Sequence, residues 1–420
     1  MFGTMRDALH VPERPDDGAA WPGGWRRAAP GMVVAVEATR LLRDSRGIGR
    51  YVRALLPRLV ALRPDLRLAL FAGSRRDVEE LTAAVASDPA LCGHAGVLHV
   101  GELHRSSADV FWYPWNVARP VPARGAVVVT MHDVAPVVLP DPRWSRWWKN
   151  VRWRRRYAVT ARRATVIIAD SAFTASEVRR LLGFPRDRIR IAPLAADDFP
   201  VPPVAGDRET LARLGVRTPF VLAVGAADRR KNHALLYRAM KRVIDVNPLA
   251  TFVLAGPRRN REVRLPSVPW MRTLGFVSDC DLAVLYRTAA ALVMPSTYEG
   301  FGLPVLEAMR LGGPVLCARA SSLPEVAGDA AAWFDPHDEA DLAAAITRVM
   351  SDDGLRARLR AAGLRRAARF TWDETASATL HAFDEALQLC QGRRVPATSR
   401  GEDPGSSHGS QRRGSRCGAA

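Results

Sequence analysis

Short apolar segments alternate with amphipathic helical stretches along most of this 420-residue chain, and the alternation runs twice. In the first half, a strand is predicted to begin near Met32, and further buried strands are predicted at residues 67–73, 109–114, 126–133, 165–171 and 189–196. In the second half, strands are predicted at residues 220–225, 251–256, 290–296, 313–319 and 331–334. Apolar runs of this length, separated by helices, are typical of parallel sheets that carry helices on both faces.

Residues 197–210 interrupt the alternation and are rich in Pro, Asp and Gly, a composition typical of a linker. The chain is also too long for a single core. We therefore predict an α/β protein with two doubly wound, Rossmann-like domains, residues 32–198 and 199–390, that face each other across a cleft. The last helix is a candidate to pack back on the first domain. Residues 1–31 and 391–420 lack periodicity and are predicted to be disordered extensions, the second of them basic.

The formal net charge of +18 is the most unusual feature of the composition. A charge of this size suits an anionic partner, namely a nucleic acid, a phosphorylated ligand or a membrane surface, although an arginine-rich proteome would also produce it. No apolar run approaches the roughly 18–20 residues that cross a bilayer, and the N-terminal region lacks the apolar segment of a signal peptide. The five cysteines show neither metal-ligand spacing nor a disulfide framework, so we expect the reducing cytosol and no metal site.

Two glutamates bracket a glycine-rich turn in the segment "YEGFGLPVLE", directly after a predicted strand. The proline suits the first turn of a helix, so the N–H groups of Phe301, Gly302 and Leu303 are unused donors at a helix start, which is an anion site. Glu307 is placed to accept hydrogen bonds from a diol such as ribose, and Glu299 from hydroxyls beyond the phosphates. This arrangement suits a sugar nucleotide; the alternative is one capping acid and one solvated acid.

A basic loop, Arg229, Arg230 and Lys231, follows the first predicted strand of the second half. Adjacent guanidinium and ammonium groups at a strand end suit a diphosphate. The alternative is a solvated loop in which Asn232 simply caps the next helix.

Two motifs at strand ends in the first half are less specific. His132 and Asp133 end a strand, where the histidine either binds a substrate hydroxyl or caps the next turn as a structural residue. Gly47 and Gly49 follow the first strand, where they either let the backbone approach a phosphate or form a plain tight turn. The third glycine of a dinucleotide-binding fingerprint is missing.

Residues 141–164 combine tryptophans and arginines between two predicted strands. Helical spacing places on one face Trp144, Trp147, Trp148 and Val151. Arginines such as Arg152 lie largely on the other faces. Three interpretations remain open: the tryptophans pack in the first domain's core, lie in a membrane interface with the cations on anionic lipid, or stack on single-stranded nucleic acid.

Together these motifs resemble the retaining GT-B glycosyltransferases, in particular the mannosyl- and rhamnosyltransferase-like members of glycosyltransferase family 4. The family's Glu-x7-Glu motif matches at Glu299 and Glu307, and its Gly-x4-Arg-Lys-Asn loop matches from Gly225 to Asn232. Some members have arginine directly after that glycine, where this chain has Ala226, so the phosphate-binding arginine is left open between the two in the loop. The resemblance covers about residues 32–385.

The resemblance implies a GT-B fold with a nucleotide sugar on the C-terminal domain. The implied donor-binding residues are Gly49, Gly225, Arg229, Arg230, Lys231, Glu299, Phe301, Gly302, Leu303 and Glu307. Within this set, Glu307 would hold the ribose, Arg230 and Lys231 the diphosphate, and Glu299 the donor sugar.

The resemblance also implies the chemistry. The catalytic set would be His132, Glu299, Arg230 and Lys231, with His132 near the sugar. Transfer would retain the anomeric configuration through a same-face displacement, with no protein nucleophile, no cofactor besides the donor and no obligatory metal.

We therefore expect transfer of a hexose, with GDP-mannose as the first candidate donor, to a cell-envelope polysaccharide or lipid-linked glycan. The protein is expected in the cytoplasm, peripheral on the inner face of the membrane, with the tryptophan segment on the acceptor side. Two alternatives from other classes are a basic nucleic-acid-binding protein and a GT-B-like protein without transferase activity. The intact glutamate pair argues against both.

Overall fold

The computed structural model describes residues 31–392 except 45–46, 121–123, 141–142, 144–146, 227 and 258–265. The predicted disorder of residues 1–30 and 393–420 therefore concerns residues outside the described part of the chain, as does the interpretation of Trp144. No helix of the described part is long and apolar enough to cross a membrane.

The N-terminal domain is built on a seven-stranded parallel sheet in the order β3-β2-β1-β4-β5-β6-β7. The strands are β1 (Val33–Glu37), β2 (Arg67–Ala72), β3 (Ala95–His99), β4 (Val110–Tyr113), β5 (Ala126–Met131), β6 (Val166–Ala169) and β7 (Ile189–Ile191). The α-helices are α1 (Ile48–Leu62), α2 (Arg75–Ser87), α3 (Ala135–Val138), α4 (Trp147–Arg163) and α5 (Ala172–Leu182). All six residues of β5 are buried, as expected for a strand covered on both faces.

The C-terminal domain repeats the architecture with six parallel strands in the order β10-β9-β8-β11-β12-β13. The strands are β8 (Phe220–Val224), β9 (Thr251–Ala255), β10 (Met271–Gly275), β11 (Ala291–Met294), β12 (Val315–Ala318) and β13 (Ala332–Phe334). The α-helices are α6 (Asp207–Leu214), α7 (His233–Val246), α8 (Asp279–Thr288), α9 (Leu303–Arg310), α10 (Leu323–Ala327), α11 (Glu339–Ser351), α12 (Asp353–Ala367) and α13 (Trp372–Cys390). The predicted fold class, two doubly wound sheets, is confirmed.

Strand order reverses in each sheet beside the strand that starts the domain, β1 and β8. Open α/β sheets bind ligands outside the carboxyl ends of their strands at such a reversal. The loop after β1 leads into α1, and the loop after β8 carries the basic segment. The topology therefore directs both segments to the positions where a ligand is expected.

Two strands were not predicted, β3 and β10, and both are edge strands. Their sequences, "AGVLH" and "MRTLG", carry glycine and polar residues, and β10 is partly exposed along its whole length. An edge strand has a neighbour on one side only, so its sequence need not form a continuous apolar run.

The chain crosses between the domains twice. The first crossing ends at α6, which begins at Asp207, inside the segment predicted as linker. The second leads into α13, which lies against α1 and against strands β4 to β7 of the N-terminal sheet. The indole of Trp372, at the start of α13, is buried and donates a hydrogen bond to Asp198 Oδ1 at 2.8 Å, so the two crossings are joined.

Candidate active site

The carboxyl ends of the two sheets face each other, and loops from both domains meet there. The carbonyl oxygen of Gly300 accepts hydrogen bonds from Ser171 Oγ at 2.6 Å and from Thr174 Oγ1 at 3.0 Å, both in the opposite domain. A Cβ at Gly300 would lie 1.7 Å from the His132 carbonyl oxygen, so glycine is required where the two backbones meet. The Glu325 carboxylate of α10 accepts hydrogen bonds from the first two N–H groups of α5, at 2.7 and 3.2 Å. The domains are therefore closed on each other at this point.

Lys231 and Glu299 form a buried ion pair on the C-terminal side of the cleft. Lys231 Nζ lies 2.6 Å from Glu299 Oε1, and the two side chains are 12% and 8% exposed. Gly225, with φ +122°, leaves room for the lysine stem, since a Cβ there would lie 3.2 Å from Lys231 Cε. Burial alone would raise the pKa of the Glu299 carboxyl, but the charges of Lys231 and Arg230 hold it below its usual value. The neighbouring cations therefore favour the ionised form of the buried Glu299 carboxyl.

Arg230 and Arg229 behave differently in the short 3-10 helix that they form with Lys231. The guanidinium of Arg230 donates to Asp228 Oδ2 at 3.1 Å and, across the cleft, to Asp133 Oδ2 at 3.1 Å. Arg229 is exposed. Of these two arginines, Arg230 is therefore the one that lies beside the buried ion pair.

The start of α9 lies beside the buried ion pair and is formed by the glycine-rich turn. Gly302, with φ +112°, precedes the helix, and the N–H groups of Gly302 and Leu303 are the first-turn donors that a helix does not use internally. Phe301 is buried and packs edge-on against Phe370, with ring centroids 6.0 Å apart. These contacts fix the turn. The start of α9, with its free N–H groups, therefore lies on the same side of the cleft as the cations Arg230 and Lys231.

Glu307 lies one turn inside α9 and is buried. Tyr286 Oη donates to its Oε2 at 2.7 Å, and Arg50 Nη1, from the N-terminal domain, donates to its Oε1 at 3.0 Å. Burial raises the pKa of the Glu307 carboxyl above its usual value, although Arg50 and Tyr286 act in the opposite direction. The structure thus places both glutamates of the motif on the C-terminal side of one cleft.

The His132 side chain is enclosed in the N-terminal domain. Its Nδ1 lies 2.7 Å from Asp170 Oδ2, and its Nε2 lies 2.9 Å from the carbonyl oxygen of Pro114. A carbonyl oxygen can only accept, so Nε2 carries a proton. Burial alone would lower the pKa of the His132 imidazole, but the Asp170 carboxylate raises it above its usual value. Both ring nitrogens are engaged, which favours the structural interpretation of His132; Asp133 is the member of the pair that faces the cleft.

Gly49 has a packing role that the sequence did not indicate. It is the second residue of α1 and is buried, and a Cβ there would lie 1.8 Å from the Asp44 carbonyl oxygen. Gly47, with φ +48°, precedes the helix and is exposed. Arg50 follows directly and reaches Glu307, a contact between residues 257 positions apart that no local pattern could reveal.

The first two tryptophans of α4 lie outside the core, whereas Trp153, further along the helix, is partly buried against it. Trp147 and Trp148 are 44% and 74% exposed, and their rings meet edge-on with centroids 4.4 Å apart. The buried face of α4 consists of Tyr157, Thr160 and Ala161 instead. Of the three interpretations of this segment, packing in the core is therefore excluded for Trp147 and Trp148, and the membrane and nucleic-acid interpretations stay open. Arg152 is exposed on the same helix.

Two family models match the chain, one on each domain. Residues 45–198 match the model described as Glycosyltransferase Family 4, and residues 212–366 match Glycosyl transferases group 1. The chain is 31% identical over 379 residues to "O-antigen chain mannosyltransferase B" of Escherichia coli, which covers 80% of this chain and 95% of that protein. It is 30% identical over 282 residues to "Serotype-specific mannosyltransferase WbdA" of Escherichia coli, 63% of this chain and 34% of that one.

A solved structure with the same fold is sucrose-phosphate synthase from Thermosynechococcus elongatus, with a TM-score of 0.65 and 19% identity over 85% of this chain and 100% of that one. The fold and the paired glutamates define a glycosyltransferase of the GT-B class. The chain belongs to glycosyltransferase family 4, the glycosyl transferases group 1. The predicted family and the predicted enzyme class are both confirmed.

Proposed function

We propose that this glycosyltransferase is a retaining mannosyltransferase that moves mannose from GDP-mannose to a growing cell-envelope polysaccharide or lipid-linked glycan. The choice of mannose is supported by the names of the relatives, two of which are mannosyltransferases at 30–31% identity. The polysaccharide acceptor is supported by the O-antigen relative, which aligns over 95% of its own length.

The observation that carries the proposal is the set of groups on the C-terminal side of the cleft. Two cations, Arg230 and Lys231, share this side with the first-turn N–H groups of α9 and with the Glu307 carboxylate. A diphosphate needs cations and aligned N–H donors, and a ribose diol needs an acceptor that can take two hydroxyls. Glu299, Asp228 and Asp133 now balance the positive charges of Arg230 and Lys231. In this proposal the bound diphosphate balances part of that positive charge instead.

The proposed reaction is a displacement on one face of the donor sugar. The bond between C1 and the phosphate oxygen breaks with its electron pair moving to the phosphate, and the acceptor oxygen bonds to C1 on the same face. The acceptor's proton moves to that phosphate oxygen, so GDP leaves and no protein nucleophile is needed. Arg230 and Lys231 stabilise the negative charge that develops on the leaving diphosphate, which is why the proposal assigns no step to a metal ion.

The acceptor side of the proposal includes an anionic membrane surface at α4. Trp147 and Trp148 are exposed at the start of this helix, which carries seven cationic residues and no acidic residue. Exposed indoles beside a row of cations suit the headgroup region of an anionic bilayer. A lipid-linked acceptor would then be presented beside the N-terminal domain.

Nucleotide release with a panel of sugar nucleotides tests the transferase proposal. GDP-mannose, UDP-glucose, UDP-galactose and ADP-glucose are each incubated with wild type and with a mannose-terminated acceptor, and the anomeric configuration of the product is read by NMR. We expect release from GDP-mannose and an α-linked product, and no release by Lys231→Met. Release from another donor would overturn the choice of mannose, and a β-linked product would overturn retention.

Co-sedimentation with vesicles tests the membrane proposal. Vesicles of phosphatidylglycerol and phosphatidylcholine should retain wild type more strongly than Trp148→Ser, and vesicles of phosphatidylcholine alone should retain neither. Val159→Ser, an exposed apolar residue further along α4, is the matched control. Equal retention of wild type and Trp148→Ser would contradict the assignment of this helix start to the membrane.

A further inference from the structure

Arg50 lies where the two domains and both connecting segments meet. Its Nη1 donates to Glu307 Oε1 at 3.0 Å and its Nη2 donates to Asp198 Oδ1, in the first crossing segment, at 2.7 Å. The guanidinium also lies over the ring of Phe199, 4.7 Å from its centroid. The side chain is 14% exposed, and Asp198 in turn accepts from the indole of Trp372. Arg50 is therefore held by the first crossing segment, which forms part of the hinge between the domains, while it contacts Glu307 in the opposite domain.

The two partners of Glu307 fix the orientation of its carboxylate. An ionised carboxylate has about four lone-pair positions, two on each oxygen. Arg50 occupies one position on Oε1 and Tyr286 occupies one on Oε2. One position on each oxygen therefore remains, and the two neighbouring hydroxyls of a ribose require two such acceptor positions.

The two partners come from different domains. Tyr286 belongs to α8 of the C-terminal domain, so its contact with Glu307 persists in any relative position of the domains. Arg50 belongs to α1 of the N-terminal domain, so its contact exists only when the cleft is closed. A lysine could replace it only in part, because its ammonium is a single point of contact, whereas Arg50 reaches Glu307 and Asp198 with two separate nitrogens of a rigid, planar group.

We propose that Arg50 is a positioning residue for the ribose of the donor: it holds the Glu307 carboxylate from the opposite domain and so makes recognition of the ribose hydroxyls depend on closure of the cleft. This inference rests on the proposed function, since it takes Glu307 as the ribose acceptor. It goes beyond it by assigning part of the nucleotide site to the N-terminal domain and by linking that part to the hinge.

The test compares nucleotides that differ only in the ribose hydroxyls. Binding of GDP, UDP and ADP and of their 2′,3′-dideoxy counterparts is measured by calorimetry with wild type, Arg50→Met and Arg50→Lys. The matched control is Arg53→Met, which removes the same charge one turn further along α1, where Arg53 donates to the carbonyl oxygens of Leu41 and Asp44 and not to Glu307. Circular dichroism verifies that each variant is folded.

Wild type and Arg53→Met should bind the best ribonucleotide at least about tenfold more tightly than its dideoxy counterpart, since hydrogen bonds to a charged group are lost. Arg50→Met should bind both nucleotides with the affinity that wild type has for the dideoxy form. Arg50→Lys keeps the positive charge and is the more conservative substitution. It should show a preference for the ribonucleotide that lies between those of wild type and Arg50→Met. A purely structural role would instead weaken both nucleotides equally.

The possible failures are distinct. If wild type prefers the ribonucleotide and Arg50→Met keeps that preference in full, the role of Arg50 is refuted and the proposed function stands. If both nucleotides weaken equally in Arg50→Met, the role of Arg50 is likewise refuted. If wild type binds none of the nucleotides, both the proposed function and the inference that rests on it are overturned.

Discussion

Replacing Lys231 by methionine removes the ammonium that lies 2.6 Å from Glu299 Oε1 and leaves the carboxylate buried without its nearest partner. Removal of one member of a buried ion pair typically costs about 3–5 kcal/mol in free energy of unfolding. Arg230 also holds the pKa of Glu299 down and remains in place, so the expected cost is at the low end, about 3 kcal/mol.

The pH dependence of this cost has a defined sign. Without Lys231, the effect of burial on Glu299 is opposed mainly by Arg230, so the pKa of its carboxyl is higher in the folded variant than in folded wild type. A carboxyl with a raised folded pKa favours folding at low pH and loses that contribution as the pH rises through the folded pKa. Lys231→Met should therefore be less destabilised, relative to wild type, at pH 5 than at pH 8.

A second substitution separates stability from ligand binding. In Lys231→Met/Glu299→Gln neither charge is left alone, and replacement of both members of a buried pair is often close to neutral. The double variant should therefore regain most of the lost stability, to within about 1 kcal/mol of wild type. It should still not bind a nucleoside diphosphate, because the ammonium is absent.

Urea unfolding of the nucleotide-free protein, followed by circular dichroism at pH 5 and at pH 8, measures both variants and wild type. A loss below about 1 kcal/mol in Lys231→Met would show that the pair behaves as a surface pair. A double variant no more stable than Lys231→Met would show that the loss of stability does not come from an uncompensated Glu299 carboxylate.

Three further perturbations test the closed arrangement. Gly300→Ala places a Cβ 1.7 Å from the His132 carbonyl oxygen and should increase the radius of gyration in X-ray scattering, whereas Gly206→Ala, with open space around its Cβ, should not. Glu325→Ala removes the carboxylate of the other domain that caps the first N–H groups of α5, a contact worth about 0.5–2 kcal/mol. Hydrogen exchange in the first turn of α5 should therefore accelerate about 2- to 30-fold, and unchanged exchange would contradict the capping role of Glu325. His132→Asn removes a group whose pKa Asp170 raises, so the stability advantage of wild type, read from urea unfolding, should be larger at pH 6 than at pH 9; an advantage independent of pH would disprove the charge on His132.

The fold was predictable where the sequence carries a continuous apolar run. Central strands such as β5 are buried on both faces and must be apolar throughout, so their positions follow from composition alone. The start of α9 was predictable because a glycine pair and a proline specify a turn that enters a helix. Edge strands β3 and β10 carry no such constraint and were missed.

Only those parts of the site that individual loops of one domain form were predictable from the sequence. The pairing of Lys231 with Glu299 joins two motifs that the sequence had already placed at strand ends of the same sheet. The contact of Arg50 with Glu307 depends on how the two domains close, which no local pattern encodes.

Adjacent residues at a strand end present a different difficulty. Successive side chains point to opposite sides of the backbone, so the sequence cannot tell which member of a pair faces the cleft. His132 was chosen for its chemistry, whereas the structure turns its ring inwards to Asp170 and directs Asp133 towards Arg230.

A crystal structure of the protein with GDP bound tests the proposed nucleotide site most directly. We expect diphosphate oxygens at hydrogen-bond distance, roughly 2.7–3.2 Å, from Lys231 Nζ and from the first N–H groups of α9, with the ribose hydroxyls on Glu307. A diphosphate bound away from both Lys231 and the start of α9, with the ion pair between Lys231 and Glu299 intact, would contradict the assignment of the diphosphate to these groups.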